Sequence, residues 1–358
     1  MNRTEPTLSS GPCAAIIQAC VIQSRVLPGN LAEGVPQFGR QTIMSSQRLV
    51  IGIDGGGSKT VACLARVETE NGGQQPQVLG RALAGPCNPQ VVGFQTTLSV
   101  LDNTISTVFA DAQLERQTVA SACLALAGAG RASESERVRA WAETARIARS
   151  LKVVHDAEPL LAAGTPEGVG VAIVAGTGSF GFGRGSKGET HRAGGYGHLF
   201  GDEGSGYWMA RQALGHVARA WDGRGPATQL TETISGKLGI SQADQLVSTI
   251  YQEWSGQTRL ASLAEAVIDS AEGGDRLAAA LVNQAGNELA ELAIAVGTHL
   301  AAEMQPIPLA LAGSLLVYAA PLQQTLIRRL DHSDLDFAPI STVADPVLGA
   351  LKLASQQF

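Results

Sequence analysis

Residue types suited to phosphate chemistry are concentrated in one glycine-rich segment in the first part of the chain. The apolar run 49–53 leads directly into a stretch of one carboxylate, three glycines, two hydroxyls and a lysine: Asp54, Gly55, Gly56, Gly57, Ser58, Lys59 and Thr60. Consecutive glycines leave backbone N–H groups open to a bound anion, because no Cβ blocks the approach. Asp54 can hold a hydrated cation, and the hydroxyls can contact phosphate. The pattern favours a polyphosphate bound together with Mg²⁺.

This turn differs from the phosphate loop that opens a helix. That loop needs G-x-x-x-x-G-K-[ST] followed by a helix, whereas residues 61–67 are apolar and β-branched. We therefore predict that the turn joins two strands of a hairpin. Taken alone, it fits an ordinary tight hairpin equally well.

Two further small-residue turns follow apolar strands later in the chain. After the run 169–175 come Gly176, Thr177, Gly178 and Ser179, and after the run 308–312 come Gly313 and Ser314. The order of the three turns indicates two similar halves that close on one nucleotide. It resembles the actin, hexokinase and heat-shock ATPase superfamily. That resemblance implies an α/β fold of two ribonuclease-H-like domains, which supply two phosphate loops and an adenosine loop.

A longer motif lies between the second and third turns. The segment Gly194–Trp208 contains Gly-Gly-Tyr-Gly and then Gly-Asp-Glu-Gly-Ser-Gly. It resembles the signature of the N-acetylglucosamine kinase group in the BadF/BadG/BcrA/BcrD ATPase family, and the likeness covers roughly residues 48–358. Tyr196 stands where these kinases usually carry Trp. An aromatic face remains, but the added hydroxyl leaves the identity of the sugar open.

The resemblance implies an ATP-dependent kinase that phosphorylates the 6-hydroxyl of N-acetylglucosamine, with ATP and Mg²⁺ as cofactors. It places the cation at Asp54 and the nucleotide at Gly55, Gly56, Gly57, Ser58, Lys59, Thr60, Gly176, Thr177, Gly178, Gly273, Gly313 and Ser314. It places the sugar at Asn88, Asp156, Ser179, Gly195, Tyr196, Gly197 and Asp202.

Asp156 is the candidate catalytic base for taking the proton of the attacking hydroxyl. It ends the short predicted strand 152–156, and its His155-Asp156-Ala157 context resembles the family's catalytic segment. The alternative is an Asp that caps the following helix. Comparable alternatives remain for Asn88, which could simply form a turn, and for Asp202, which could cap the helix after it.

Bulk composition limits the classes of partner. The chain has 358 residues, with 26 basic and 32 acidic side chains. No dense run of Lys and Arg is present, which argues against nucleic acid as a partner, and no run of eighteen apolar residues predicts a membrane span. The cysteines, at positions 13, 20, 63, 87 and 123, form no C-x-x-C pair. We expect reduced, buried thiols in a cytoplasmic protein. The oligomeric state, monomer or homodimer, stays open.

The domain prediction has three parts. Residues 1–46 are expected to be a disordered extension or to lie upstream of the true start. Residues 47–166, together with a helix at 345–358, form the first domain. Residues 167–344 form the second, with a helical insertion after the glycine-rich motif. Strands and helices are predicted in the order strand, strand, strand, helix (94–112), strand, helix (134–148), strand (152–156) in the first domain.

Three rival functions are weighed against the leading one. Glucosamine or N-acetylmuramate kinases of the same group are barely separable from it by sequence. An ATPase activator of a 2-hydroxyacyl-CoA dehydratase or a benzoyl-CoA reductase would need cysteines for a shared [4Fe–4S] cluster, and no cysteine follows residue 123. A sugar-sensing repressor would need a DNA-binding segment, which residues 1–46 do not provide.

Overall fold

The computed structural model describes residues 47–68, 76–128 and 132–357. The predicted extension 1–46 lies outside these parts of the chain. Two mixed sheets of five strands organise the described residues. The sheet that forms first along the chain, with its helices, is called the first lobe below, and the other is called the second lobe.

Strands of the first lobe occur in the order β3-β2-β1-β4-β5 across the sheet. Their bounds are β1 (Gln47–Gly55), β2 (Thr60–Glu68), β3 (Gln77–Ala84), β4 (Val119–Leu126) and β5 (Ala148–His155). The first three strands pair antiparallel, whereas β4 and β5 join β1 in parallel. Three helices accompany them: α1 (Pro89–Val92), α2 (Phe94–Asp111) and α3 (Ala132–Thr144).

The second lobe repeats this arrangement, in the order β8-β7-β6-β9-β10. Its strands are β6 (Gly170–Ala175), β7 (Ser179–Arg184), β8 (Thr190–Gly194), β9 (Leu309–Ala312) and β10 (Ile340–Val343). Antiparallel pairing of β6, β7 and β8 and parallel pairing of β9 and β10 match the first sheet strand for strand. The predicted duplication of one α/β unit is thus visible in the topology.

Helices supply the rest of the structure. Between the lobes comes α4 (Glu158–Gly164), with a single 3₁₀ turn (Pro166–Gly168) after it. The later helices are α5 (Gly206–Trp221), α6 (Gln229–Leu238), α7 (Ala243–Gln252), α8 (Gln257–Ala261), α9 (Leu263–Glu272), α10 (Arg276–Leu300), α11 (Ser314–Tyr318), α12 (Ala320–Leu330) and α13 (Pro346–Ser355). No helix in the described ranges combines the length and apolarity that crossing a bilayer requires.

Helices α4 and α13 join the lobes. The C-terminal helix α13 lies directly on β1, since a Cβ at Gly52 would come 2.6 Å from the backbone nitrogen of Leu351. It also lies against α4, where Gly349 meets the carbonyl of Pro159. The opposite side of α4 packs on the second sheet, with Gly164 against Ala310. Helix α4 therefore contacts α13 on one side and the second sheet on the other.

The three cysteines in the described ranges, Cys63, Cys87 and Cys123, are buried and unpaired. Burial is the largest cause that raises the thiol pKa of Cys63 and Cys87 to about 11 and that of Cys123 to about 12. Such thiols stay protonated near neutral pH and are poor nucleophiles. This agrees with the expected buried, reduced cysteines.

Most predicted elements are confirmed, and the differences have local causes. The helix expected at 134–148 ends at Thr144, and β5 begins at Ala148 rather than near Lys152. Arg146 takes a left-handed conformation (φ 50°) between them, which ends the helix and turns the chain into the sheet. The short helix α1 and the polar strand β8 were not expected from the sequence.

Candidate active site

The first glycine turn leaves its tip open. Gly55 pairs with Thr60 at the end of the hairpin, and the N–H of Gly56 donates to the carbonyl of Lys59 (2.9 Å). Gly57 and Ser58 are exposed, and a Cβ built at Gly57 would meet no atom within 4 Å. The tip therefore has open space for a bulky anion against its backbone, and phosphate binding there stays a prediction.

The second and third turns lie side by side. A Cβ at Gly176 would sit 3.8 Å from the hydroxyl of Ser314. Helix α5 starts on the second turn, because the N–H groups of Gly206 and Tyr207 donate to the carbonyls of Gly176 (2.8 Å) and Thr177 (3.2 Å). The structure thus brings Gly176, Thr177, Gly178, Gly313 and Ser314 together at one edge of the second sheet.

Asp54 and Asp156 interact although they lie 102 positions apart in the chain. Burial raises the pKa of Asp54 from 3.8 to about 7, and repulsion by Asp156 and Asp345 adds to this rise, whereas Lys59 opposes it. Asp54 ends β1 and Asp156 directly follows β5, so both side chains lie at the carboxyl ends of strands in one sheet. A cation placed at Asp54 would stabilise its ionised form.

Asp156 is held by its neighbour in the chain. The Nδ1 atom of His155 lies 2.9 Å from the Oδ1 atom of Asp156, and the carboxylate side chain is 22% exposed. Asp156 is not the residue that caps α4, because the N-cap position is Ala157 and carries no side-chain cap. The carboxylate therefore remains accessible for chemistry.

The glycine-rich loop between β8 and α5 folds back onto the second turn. Asp202 is buried, its Oδ1 accepts from the N–H of Gly197 (3.3 Å), and a Cβ at Gly178 would come 2.8 Å from its Oδ2. Burial raises the pKa of Asp202, and backbone hydrogen bonds oppose that rise. Asp202 also has φ 57°, an uncommon conformation for a residue other than glycine. Ser205, not Asp202, caps α5.

The loop carries an exposed aromatic side chain. Tyr196 is 72% exposed between Gly195 and Gly197, and both glycines have positive φ (69° and 93°). This backbone conformation turns the loop so that Tyr196 projects outward. The predicted residues Gly195, Tyr196, Gly197 and Asp202 therefore lie in one compact loop, with an aromatic face available at its rim.

Two predicted ligands have hydroxyls that form hydrogen bonds inside the protein. Thr60 is fully buried and its hydroxyl donates to the carbonyl of Gly85 (2.7 Å); Ser179 is buried and its hydroxyl donates to the carbonyl of Glu203 (2.6 Å). Each residue starts the second strand of a glycine hairpin, and each ties down the loop that follows the third strand. Their hydroxyls thus donate into the protein, and direct contact of these two residues with nucleotide and sugar stays a prediction.

The remaining predicted residues are divided. Asn88 caps α1, because its Oδ1 accepts from the N–H of Gln90 (2.9 Å). This bond gives Asn88 a structural role and leaves its amide N–H group available for a sugar hydroxyl. Gly273 ends α9, where its nearest contacts are with Asp269 and Gln229. A role of Gly273 in nucleotide binding stays a prediction.

Metal coordination by protein side chains alone is not indicated. Among the described residues, no group of three or more His, Cys, Asp and Glu is arranged to hold an ion. The donor set still fits Mg²⁺, which keeps much of its water and binds through one or two carboxylates together with substrate phosphates. Asp54, destabilised in its ionised form, is the carboxylate that such a hydrated ion would neutralise.

Sequence comparison decides the family. The model of the BadF/BadG/BcrA/BcrD ATPase family matches residues 51–354. The chain belongs to this family. The match includes all three turns and the glycine-rich loop, so the resemblance predicted from the motifs is confirmed.

Two curated relatives align with this chain over nearly all of their own length. An N-acetyl-D-glucosamine kinase from Dictyostelium discoideum is 30% identical over 86% of this chain and 98% of the relative. An N-acetylmuramic acid/N-acetylglucosamine kinase from Clostridium acetobutylicum is 28% identical over 87% of this chain and 99% of the relative.

A solved structure shares the fold. A protein from Chromobacterium violaceum, provisionally described as an N-acetylglucosamine kinase, matches with a TM-score of 0.66 and 26% identity over 86% of this chain and 98% of its own. The α/β class with two related sheets, predicted from the order of the turns, is confirmed by the model and by this neighbour.

Proposed function

We propose that this protein is an ATP-dependent amino-sugar kinase that transfers a phosphoryl group to the 6-hydroxyl of N-acetylglucosamine. The observation that carries the proposal is that Asp156 and Asp54 lie at the same edge of one sheet, at the carboxyl ends of β5 and β1 with β4 between these strands. The candidate base for the acceptor hydroxyl and the carboxylate suited to the nucleotide's cation thus share one edge of the sheet. Membership in the family and the names of the two curated relatives support the same activity.

The chain's own residues divide the reaction between them. Backbone N–H groups of the two glycine turns bind phosphate oxygens, and Asp54 would hold a hydrated Mg²⁺, which would supply neutralisation of the phosphate charge. The oxygen of the sugar hydroxyl attacks the terminal phosphorus of ATP while Asp156 accepts the hydroxyl proton. The bond between that phosphorus and the ADP oxygen breaks, and ADP leaves. Most of the rate gain comes from positioning these groups, because little covalent chemistry is left to the protein.

Sugar recognition is assigned to both lobes. The amide N–H group of Asn88 contacts hydroxyls from the first lobe, while Gly195, Gly197 and the face of Tyr196 bind from the loop of the second. Asp202 holds this loop on the second turn and presents a carboxylate oxygen to the sugar. Thr60 and Ser179 fix the two loops through their hydroxyls.

A coupled assay of ADP release tests the proposal. We expect turnover with N-acetylglucosamine well above that with glucose, galactose or no sugar, and phosphate on the 6-oxygen of the product by NMR. Glucosamine and N-acetylmuramate belong in the same panel, since a preference for either would replace the acceptor but keep the reaction class. ADP release that no amino sugar stimulates would reject the proposal.

A further inference from the structure

His155 is a first-lobe residue whose ring is held by the second lobe. It ends β5, and its imidazole stacks parallel on Phe182 of β7, with ring centroids 5.2 Å apart and an interplanar angle of 6°. Phe180 of the same strand meets the imidazole edge-on at 6.1 Å. The side chain is 17% exposed. Aromatic contacts on two sides therefore limit the orientations that the ring can adopt.

The held ring points its Nδ1 atom at two groups. Nδ1 lies 2.9 Å from the Oδ1 atom of Asp156 and 3.1 Å from the backbone nitrogen of Ala157. A protonated Nδ1 donates to the carboxylate, whereas an unprotonated Nδ1 accepts from the N–H of Ala157. Each arrangement leaves one unfavourable contact: two facing N–H groups with Ala157 in the first, and two facing lone pairs with Asp156 in the second. The carboxylate contact is the shorter of the two and would be charge-assisted, which favours the first arrangement.

No competing donor to Asp156 is present among the described residues. Arg184 of β7 pairs with Glu158 of α4 (3.1 Å), two positions after Asp156 in the chain. The orientation of the Asp156 carboxylate thus depends on His155.

We propose that His155 is a positioning residue for Asp156. Its Nδ1–H group donates to Oδ1 of Asp156, which leaves Oδ2 to accept the proton of the sugar hydroxyl. Because the ring is clamped by Phe182, the second lobe fixes the direction of a base that belongs to the first. This inference rests on the proposed function only in what the base acts on; the pairing of the two side chains does not depend on it.

Two nearly isosteric variants separate a donor role from a packing role. His155→Leu removes the nitrogen and still packs on Phe182, whereas His155→Asn keeps a donor at the δ position. We expect the Leu variant to lose about tenfold to a hundredfold in kcat, the effect of a charge-assisted hydrogen bond, with KM for the sugar within about twofold. We expect the Asn variant to stay within about threefold of wild type. Equal activity of the two variants, whether high or low, would overturn the proposal.

A readout without turnover distinguishes this inference from the proposed function. In protein with ¹⁵N-labelled histidine, the signal of His155 is identified by its absence in His155→Asn. We expect a proton on Nδ1 in the wild type and its loss from Nδ1 in Asp156→Ala, where Ala157 becomes the only partner. An unprotonated Nδ1 in the wild type would overturn the pairing even in an active kinase. A protonated Nδ1 in a protein without kinase activity would support the pairing and reject the function.

Discussion

Three aspartates around the candidate site differ because their surroundings differ. Asp54 is half-buried and is repelled by other carboxylates, so its ionised form is destabilised. Asp156 is partly exposed and touches an imidazole. Asp202 is buried in a glycine-rich loop and accepts a backbone hydrogen bond. In the proposed mechanism, one residue type therefore has three roles: Asp54 holds the cation, Asp156 accepts the hydroxyl proton and Asp202 fixes the loop.

The role of Asp156 is tested by removing its basicity and keeping its shape. Asp156→Asn should lower kcat by about 10² or more and change KM for the sugar only a few-fold, because the lost group acts on the proton and not on sugar binding. Steady-state kinetics with N-acetylglucosamine measure both values. Near-normal turnover by the folded variant would exclude Asp156 as the base.

The raised pKa of Asp54 predicts how the stability of the protein without nucleotide depends on pH. Its pKa is raised from 3.8 to about 7, so folding favours the protonated form. The stabilisation is complete below the unfolded-state pKa and is lost as pH rises through about 7. Between about pH 5 and pH 8, Tm should therefore fall by several degrees more for the wild type than for Asp54→Asn, which cannot ionise. Thermal denaturation across this range measures the difference, and parallel curves would contradict it.

Sequence alone indicates the turns but not the direction of each hydroxyl. Asp54, Asp156 and the glycines could be placed because strand ends and glycine runs are local signals. Thr60 and Ser179 could not, since their partners Gly85 and Glu203 lie 25 and 24 residues away. Likewise, His155 could be tied to Phe182 only once the two lobes were seen together.

At the scale of elements, α4 and α13 form the contact between the lobes. Gly349 lets α13 approach the carbonyl of Pro159, and Gly52 lets it approach β1. These approaches are too close for any side chain. A strand order can be predicted from alternating patterns, but such backbone contacts are set by residues almost 200 positions apart in the case of Pro159 and Gly349.

A Cβ added at this contact should weaken the fold. Gly349→Ala would overlap the carbonyl of Pro159, so we expect the free energy of unfolding to fall by about 1–3 kcal/mol or more. Gly215→Ala in α5 is the matched control, because its Cβ would meet no atom within 4 Å. The control should be neutral or stabilised by about 0.5–1 kcal/mol. Chemical denaturation compares the two, and equal stabilities would refute the close approach.

Elements missed from the sequence are short or polar. Strand β8 has the sequence Thr-His-Arg-Ala-Gly and lies at the edge of its sheet, where solvent exposure weakens the apolar alternation. Helix α1 has four residues, too few for a helical period. The long amphipathic helices and the paired hairpins carry stronger patterns and were predicted.

At the scale of the whole molecule, acceptor residues are proposed on both lobes, so sugar should draw the lobes together. We expect saturating N-acetylglucosamine and nucleotide to lower the radius of gyration in solution scattering. Asp202→Asn should weaken this response, since it removes the charge on the loop yet tolerates the left-handed φ that Ala would not. Glucose serves as the control, because a sugar that does not bind should leave the radius of gyration unchanged. An unchanged scattering profile would contradict closure.

The repeated topology has an evolutionary consequence. The two sheets share one strand order, and each lobe uses a buried hydroxyl at the start of its second strand to tie down the loop after its third. Duplication and fusion of one half-length gene would leave this pattern. Counting back from that hydroxyl-bearing strand, the hairpin residue matching Asp54 is the apolar Val174. After fusion, the two halves were free to diverge, and only the first carries a carboxylate at this hairpin position.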